Sequence, residues 1–151
     1  MKLQSEIAEQ VRSLLAEENN LMANLANTAA LLMSATSWHW VGFYIVDHMQ
    51  NELVLGPFQG PVACTRLRKG QGVCSKSWEL METIVVDDVE SFEGHIACSS
   101  LSKSEVVIPI LFEDEVVGVF DADSVELNGF SSSEVKILED IVQIIEAKWQ
   151  G

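Results

Sequence analysis

Apolar residues near the start of the chain recur at helical spacing, with Ile7, Val11, Leu14 and Leu15 on one face of residues 4–17. Asn20, a residue type that caps helices, precedes a second stripe of Leu21, Leu25, Ala29 and Leu32. The period then drops to two. In WHWVGFYIVD, residues 38–47, Trp40, Gly42, Tyr44 and Val46 fall on one side and Val41, Phe43 and Ile45 on the other, which predicts a strand. A turn through 47–51 leads to a second strand over 52–58, and the pair forms a hairpin. Residues 59–72, rich in Gly and Pro, read as a loop. A short helix fits 73–80, and the β-branched run 83–86 a short strand. Residues 87–104 are polar and irregular, and a loop of that length is usually functional or mobile. Two apolar strands follow, 105–112 and 116–123, joined at 113–115. Ser131 and Glu134 then have the spacing of a capping box, ahead of a helix whose apolar face is Val135, Leu138, Ile141, Val142 and Ile145.

Adjacent hairpins imply an α/β chain of the α+β kind, a single domain over 1–151. Its central sheet is mainly antiparallel, with helices on one face and ligand-covering loops on the other. A length of 151 residues, 48% hydrophobic, supports one buried core. No apolar run approaches the roughly 20 residues that span a bilayer. The polar, acidic start carries no export pattern, so the expected location is cytoplasmic. A net charge of -14 argues against nucleic acid and anionic membranes as partners. The basic cluster Arg66, Arg68 and Lys69 reads as a solvated loop.

Charge and composition leave the chemistry to three cysteines and three acids. Cys64, Cys74 and Cys98 do not suggest a stapled secreted fold. They leave inert core thiols, metal ligands or reactive thiols. Zinc on Cys64, Cys74, His95 and Cys98 is disfavoured, because the spacing lacks a tight Cys pair. The sequence KGQG is too short of the full glycine pattern for a phosphate loop. Cys74, in the first turn of a short helix and after Lys69, has the best local electrostatics for a thiolate, whereas Cys98 lies in the long polar loop. Glu105, Asp121 and Asp123 stand out on strands that are otherwise apolar. A three-residue loop at 113–115 places 105 opposite 123 and 107 opposite 121, all on one face, whereas a two-residue loop would separate Glu105 from both aspartates.

The segments WVGFY, GPFQGPVACTR, GVC, GHIAC, SEVVIP and FDADS, in this order, make the chain from about Asn20 to Ile145 resemble the free methionine-(R)-sulfoxide reductases, enzymes built on a GAF domain. Ser99 and Ala122 depart from residues common in that family, and neither carries an assigned role. The resemblance implies that Cys98 is the nucleophile, Cys64 the main resolving thiol and Cys74 a second resolving or exchange thiol. Glu105, Asp121 and Asp123 would bind the sulfoxide oxygen and protonate it, and Trp40 and Tyr44 would receive the substrate methyl group. It further implies a sulfenic acid and then a disulfide, recycled by a thioredoxin-type dithiol, with no metal or organic cofactor. GAF domains often dimerise through terminal helices, so a homodimer is a further expectation. The alternative is a non-enzymatic GAF sensor that binds a small molecule.

Overall fold

The computed structural model describes residues 3–94 and 101–150. Its helices are α1 (Glu6–Leu15), α2 (Leu21–Ala35), α3 (Gly72–Leu80) and α4 (Ser132–Lys148). Its strands are β1 (Trp40–Asp47), β2 (Glu52–Gln59), β3 (Arg66–Arg68), β4 (Ile84–Val86), β5 (Ser104–Phe112) and β6 (Glu115–Ser124). They form one antiparallel sheet in the order β3-β2-β1-β6-β5-β4. The α+β architecture, with its predominantly antiparallel sheet, is the one that the hairpin pattern predicts.

Strand alternation sorts the sheet into two faces. Val41, Phe43, Val106, Ile108, Phe120 and Ala122 point to the side covered by α1, α2 and α4 and are fully buried or nearly so. The opposite side is covered by α3 and the loops around it, with a smaller apolar cluster built on Leu53, Val73, Trp78, Val107 and Val119. Helices therefore crowd one face, and on the other α3 and a one-turn 3-10 helix (Val89–Ser91) join the loops.

Local chemistry fixes the helix ends. Asn20 Oδ1 accepts from the Ala23 amide at 2.9 Å and starts α2. Ser131 and Glu134 form the reciprocal capping box at α4. The other carboxylate oxygen of Glu134 accepts from the Leu3 amide at 3.1 Å, tying the start of the chain to α4. In α1 the packed row is Ile7, Val11 and Leu15, whereas Leu14 is 41% exposed. Val135 is half-buried rather than core.

Two features differ from the sequence expectation. The stretch read as a loop over 59–72 contains β3, an edge strand. Its Arg66 pairs with Asp47 at 2.7 Å and its Arg68 with Glu52 at 3.8 Å, so the basic cluster is a strand edge with ion pairs across the adjoining β1–β2 turn. Three residues with alternating charged side chains give too short a period to detect.

The second feature is the turn of the β5–β6 hairpin. It has two central residues, Glu113 and Asp114, with φ of +52° and +66°, the left-handed pair that matches strand twist. Phe112 pairs with Glu115 and Leu111 with Val116, but Ile110 pairs with Gly118. Val117 is thus an extra residue, a bulge that shifts the register by one. Beyond it Glu105 faces Asp123 and Val107 faces Asp121, as the sequence register predicts. The far end is as expected, and the turn that produces it is not.

Candidate active site

Antiparallel pairing lays the chemistry out in rows. Trp40 is paired with Asp123, and Asp123 with Glu105, so one row crosses β1, β6 and β5. One step along, Gly42, Asp121 and Val107 form the next row, and Tyr44 and Val119 the third. Four of the residues singled out from sequence, Glu105, Asp121, Asp123 and Trp40, therefore meet on the loop-covered face. Tyr44 and Cys74 join them, and all six line one cavity together with Ser102.

One wall of that cavity is aromatic. The Trp40 ring stacks on Phe58, with centroids 5.3 Å apart and planes 15° from parallel, and lies 6.0 Å from the Tyr44 ring. Trp40 Nε1 donates to the Pro61 carbonyl at 3.1 Å, and Tyr44 Oη donates to the Cys64 carbonyl at 2.9 Å, so the polar tip of each ring is satisfied by the covering loop. Gly42 makes this arrangement possible. A Cβ there would lie 2.4 Å from Phe58 Cβ and 2.7 Å from the Trp40 ring. The sequence pattern places Gly42 on this face and ends the second strand at Phe58 but assigns neither a role, although a glycine inside a strand signals a close approach. Gly56 and Pro57 stand together opposite Phe43, a bulge where proline's missing N–H removes no ladder bond.

The three acids are buried: Glu105 and Asp121 are each 6% exposed. Burial raises the Glu105 carboxyl well above its ordinary value, and the charges of Asp121 and Asp123 add to that. Asp123 is raised well above its ordinary value by burial and by Asp121. Asp121 is also raised by burial, but hydrogen bonds from Glu105, Cys74 and Asp123 act the other way and favour its ionised form. Asp121 is thus the acceptor at the centre of the cluster, and burial together with its charge opposes ionisation of Glu105 and Asp123. Its Oδ1 is buried with no hydrogen-bond partner among the described residues. Burial also pushes the Tyr44 phenol upward, with further contributions from Asp121, Cys74, Asp123 and Glu105, so it stays a neutral donor.

Cys74 corrects the local electrostatic argument. It does sit in the first turn of α3, but it is 4% exposed. Burial, then the charges of Asp121, Glu105 and Asp123, push its thiol well above the ordinary range. The positive end of a nine-residue helix is outweighed by three carboxyl groups. Cys74 is a free thiol, whereas Cys64, half-buried against the same cluster, is disulfide-bonded and so is not available as a zinc ligand. Cys98 and His95 lie outside the described residues.

Comparison with known proteins agrees with this geometry. The GAF domain family matches residues 16–147. A GAF domain-containing protein A of Dictyostelium discoideum is 53% identical, over 91% of this chain and 86% of that protein. The free methionine-R-sulfoxide reductase of Escherichia coli K12 is 39% identical, over 89% of this chain and 81% of its own. Among solved structures, the free methionine-R-sulfoxide reductase of Neisseria meningitidis in complex with its substrate superposes with a TM-score of 0.93 at 48% identity, covering 95% of this chain and 86% of that one. The chain belongs to the GAF-domain family and, within it, to the free methionine-R-sulfoxide reductases.

Proposed function

We propose that this protein reduces free methionine-(R)-sulfoxide to methionine by cysteine chemistry. The observation that carries the reading is the meeting of Glu105, Asp121 and Asp123, all buried, with the Trp40–Tyr44 wall in one cavity. A sulfoxide is a poor electrophile until its oxygen is protonated. Buried carboxyl groups that resist ionising together keep protons near neutral pH and can supply one. The aromatic wall suits the methyl group on the opposite side of sulfur.

Cys98 attacks the sulfur as a thiolate. The protonated oxygen passes from the substrate sulfur to the Cys98 sulfur, so that the S–O bond and the transient bond between the two sulfurs both break, methionine leaves, and Cys98 becomes a sulfenic acid. Cys64 condenses with it, releasing water and forming a disulfide. The disulfide at Cys64, with Cys74 free, supports pairing with the remaining cysteine, Cys98. A thioredoxin-type dithiol then returns both thiols and is itself oxidised, which suits a compartment that keeps thiols reduced. Among the described residues no helix is long and apolar enough to cross a membrane.

A cavity between a sheet and its covering loops encloses its ligand, so both ends of the amino acid are held inside. A peptide bond at either end would remove a buried charge-assisted contact worth about 1.5–3 kcal/mol, roughly ten- to a hundredfold in rate, and would add bulk. Enclosure also selects configuration, because exchanging the methyl group and the oxygen leaves polar groups unpaired. The test is methionine release from free R, free S and N-acetylated, amidated R substrates, with a thioredoxin system as reductant. Release from free R alone is the expected outcome. Equal rates for the free and blocked R forms overturn the enclosed pocket, and no release together with no loss of thiols on adding the sulfoxide favours the sensor reading.

A further inference from the structure

Cys74 is matched as an exchange thiol by resemblance, yet its surroundings are those of a buried hydrogen-bond donor. It is sealed in the first turn of α3 at 4% exposure. Its Sγ, a Glu105 carboxylate oxygen and an Asp121 carboxylate oxygen all lie within 4.8 Å of one another. It stays a free thiol while Cys64 is disulfide-bonded. Asp121, buried and pointing into the same cavity, still has Oδ1 without a partner among the described residues.

We propose that Cys74 is a positioning residue whose S–H donates to the Asp121 carboxylate, so that the protons shared by the three acids reside on Glu105 and Asp123, where the sulfoxide oxygen can take one. This rests on the reductase reading and deepens it. A buried carboxylate needs donors, and any donor it receives makes it a weaker competitor for protons. Among the described residues three candidates face Asp121: Glu105, Asp123 and Cys74. Only Cys74 can donate without tying up a carboxyl proton that the reaction consumes. The environment keeps the thiol in its donor form. The titratable groups facing it are Glu105 from β5, Asp121 and Asp123 from β6 and, across the cavity, Tyr44 from β1. Three of these are acids that oppose a thiolate, and Tyr44 stays neutral.

An exchange thiol and a positioning thiol respond differently to serine and alanine. Serine keeps an O–H donor of similar size but cannot exchange with a disulfide. Single-turnover methionine release, which needs no reductant, isolates the chemical step. Cys74→Ala should slow that release about tenfold, the worth of one hydrogen bond to a charged group. It should also move the basic limb of the pH–rate profile upward, because the cluster has lost a donor that favours its anionic form. Cys74→Ser should restore most of the lost rate and return the limb. If serine and alanine variants both release methionine at the unsubstituted rate and fail only in thioredoxin-driven cycling, Cys74 is an exchange thiol and the inference is overturned. If the unsubstituted protein releases no methionine, the reductase reading itself fails.

A second measurement does not depend on the alanine variant folding. In a Cys64→Ser, Cys98→Ser protein Cys74 is the sole thiol. Its infrared S–H stretching band should be present at neutral pH and should shift on Asp121→Asn. A missing band, or one that ignores the substitution, overturns the inference.

Discussion

Residues 120–123 alternate between two environments on a single strand. Phe120 and Ala122 are fully buried against α1, α2 and α4, within the main apolar cluster. Asp121 and Asp123, interleaved with them, are buried on the other face, where carboxyl groups crowd together and Asp121 Oδ1 has no hydrogen-bond partner among the described residues. The helical face is consistent at every level, since period, packing and capping agree. The loop face instead buries three acids side by side, where burial works against the ionised form of each and they must share one another's protons. A binding site built this way costs stability, and the opposite face of the same strands must supply it.

The largest effect is expected at Cys98, the nucleophile of the proposed reaction. Cys98→Ser should lower turnover by more than about 10³-fold, because a hydroxyl is a far weaker nucleophile than a thiolate. The melting temperature should hardly move. Retention of most of the activity would remove Cys98 from the mechanism.

The converse test is Leu138→Ala, at a fully buried position on α4. Truncation there should cost about 2–5 kcal/mol in urea unfolding. Below the unfolding midpoint the turnover of the folded fraction should be unchanged. A large loss of kcat in the folded protein would show that the faces are not separable.

Gly42→Ala probes the aromatic wall. An added methyl 2.4 Å from Phe58 Cβ cannot be accommodated in place. The ring of Trp40 must move, with overpacking of about 1–3 kcal/mol. The expected kinetic signature is a rise in KM of about tenfold with a smaller change in kcat, read together with a change in tryptophan fluorescence. An unchanged KM would mean that the wall does not hold the substrate.

The smallest effect concerns pH. Burial raises the folded-state pKa of Glu105, Asp121 and Asp123 above their ordinary values of 4.5, 3.8 and 3.8. The folded chain therefore holds more protons than the unfolded one once pH exceeds about 4. Whatever stability the cluster contributes is fully present below that range and is lost as pH rises through the folded values. Asp123→Asn removes one of these groups, so its melting temperature relative to the unsubstituted protein should climb between pH 4 and pH 8. A relative fall over that interval would mean that Asp123 is stabilised as an anion.

Much of this was legible because it is periodic. The alternation in WVGFYIV placed Trp40 and Tyr44 together, and helix caps at Asn20 and Ser131 announced α2 and α4. The register of the acids was also legible, though through a turn of the wrong length compensated by a bulge that sequence does not reveal. Three things were decided by more than local sequence. The strand β3 is too short to show a period. The indole of Trp40 passes over Gly42 because of a neighbouring strand, which only tertiary packing decides. The state of Cys74 was misread for a related reason. Its sequence neighbours promise a positive helix end, but the groups that govern it arrive from β5 and β6, more than thirty residues away.

The bulge at Val117 has a practical consequence for how this hairpin can be altered. Because the register is reset between Ile110 and Leu111, the tip and the acid-bearing ends are geometrically uncoupled along the strands. A residue gained at the tip can be absorbed by losing the bulge, and the acids keep their partners. The tip is thus a natural graft point for a peptide tag or a fluorescent probe, whereas the same insertion between Gly118 and Asp121 would turn both aspartates toward the opposite layer.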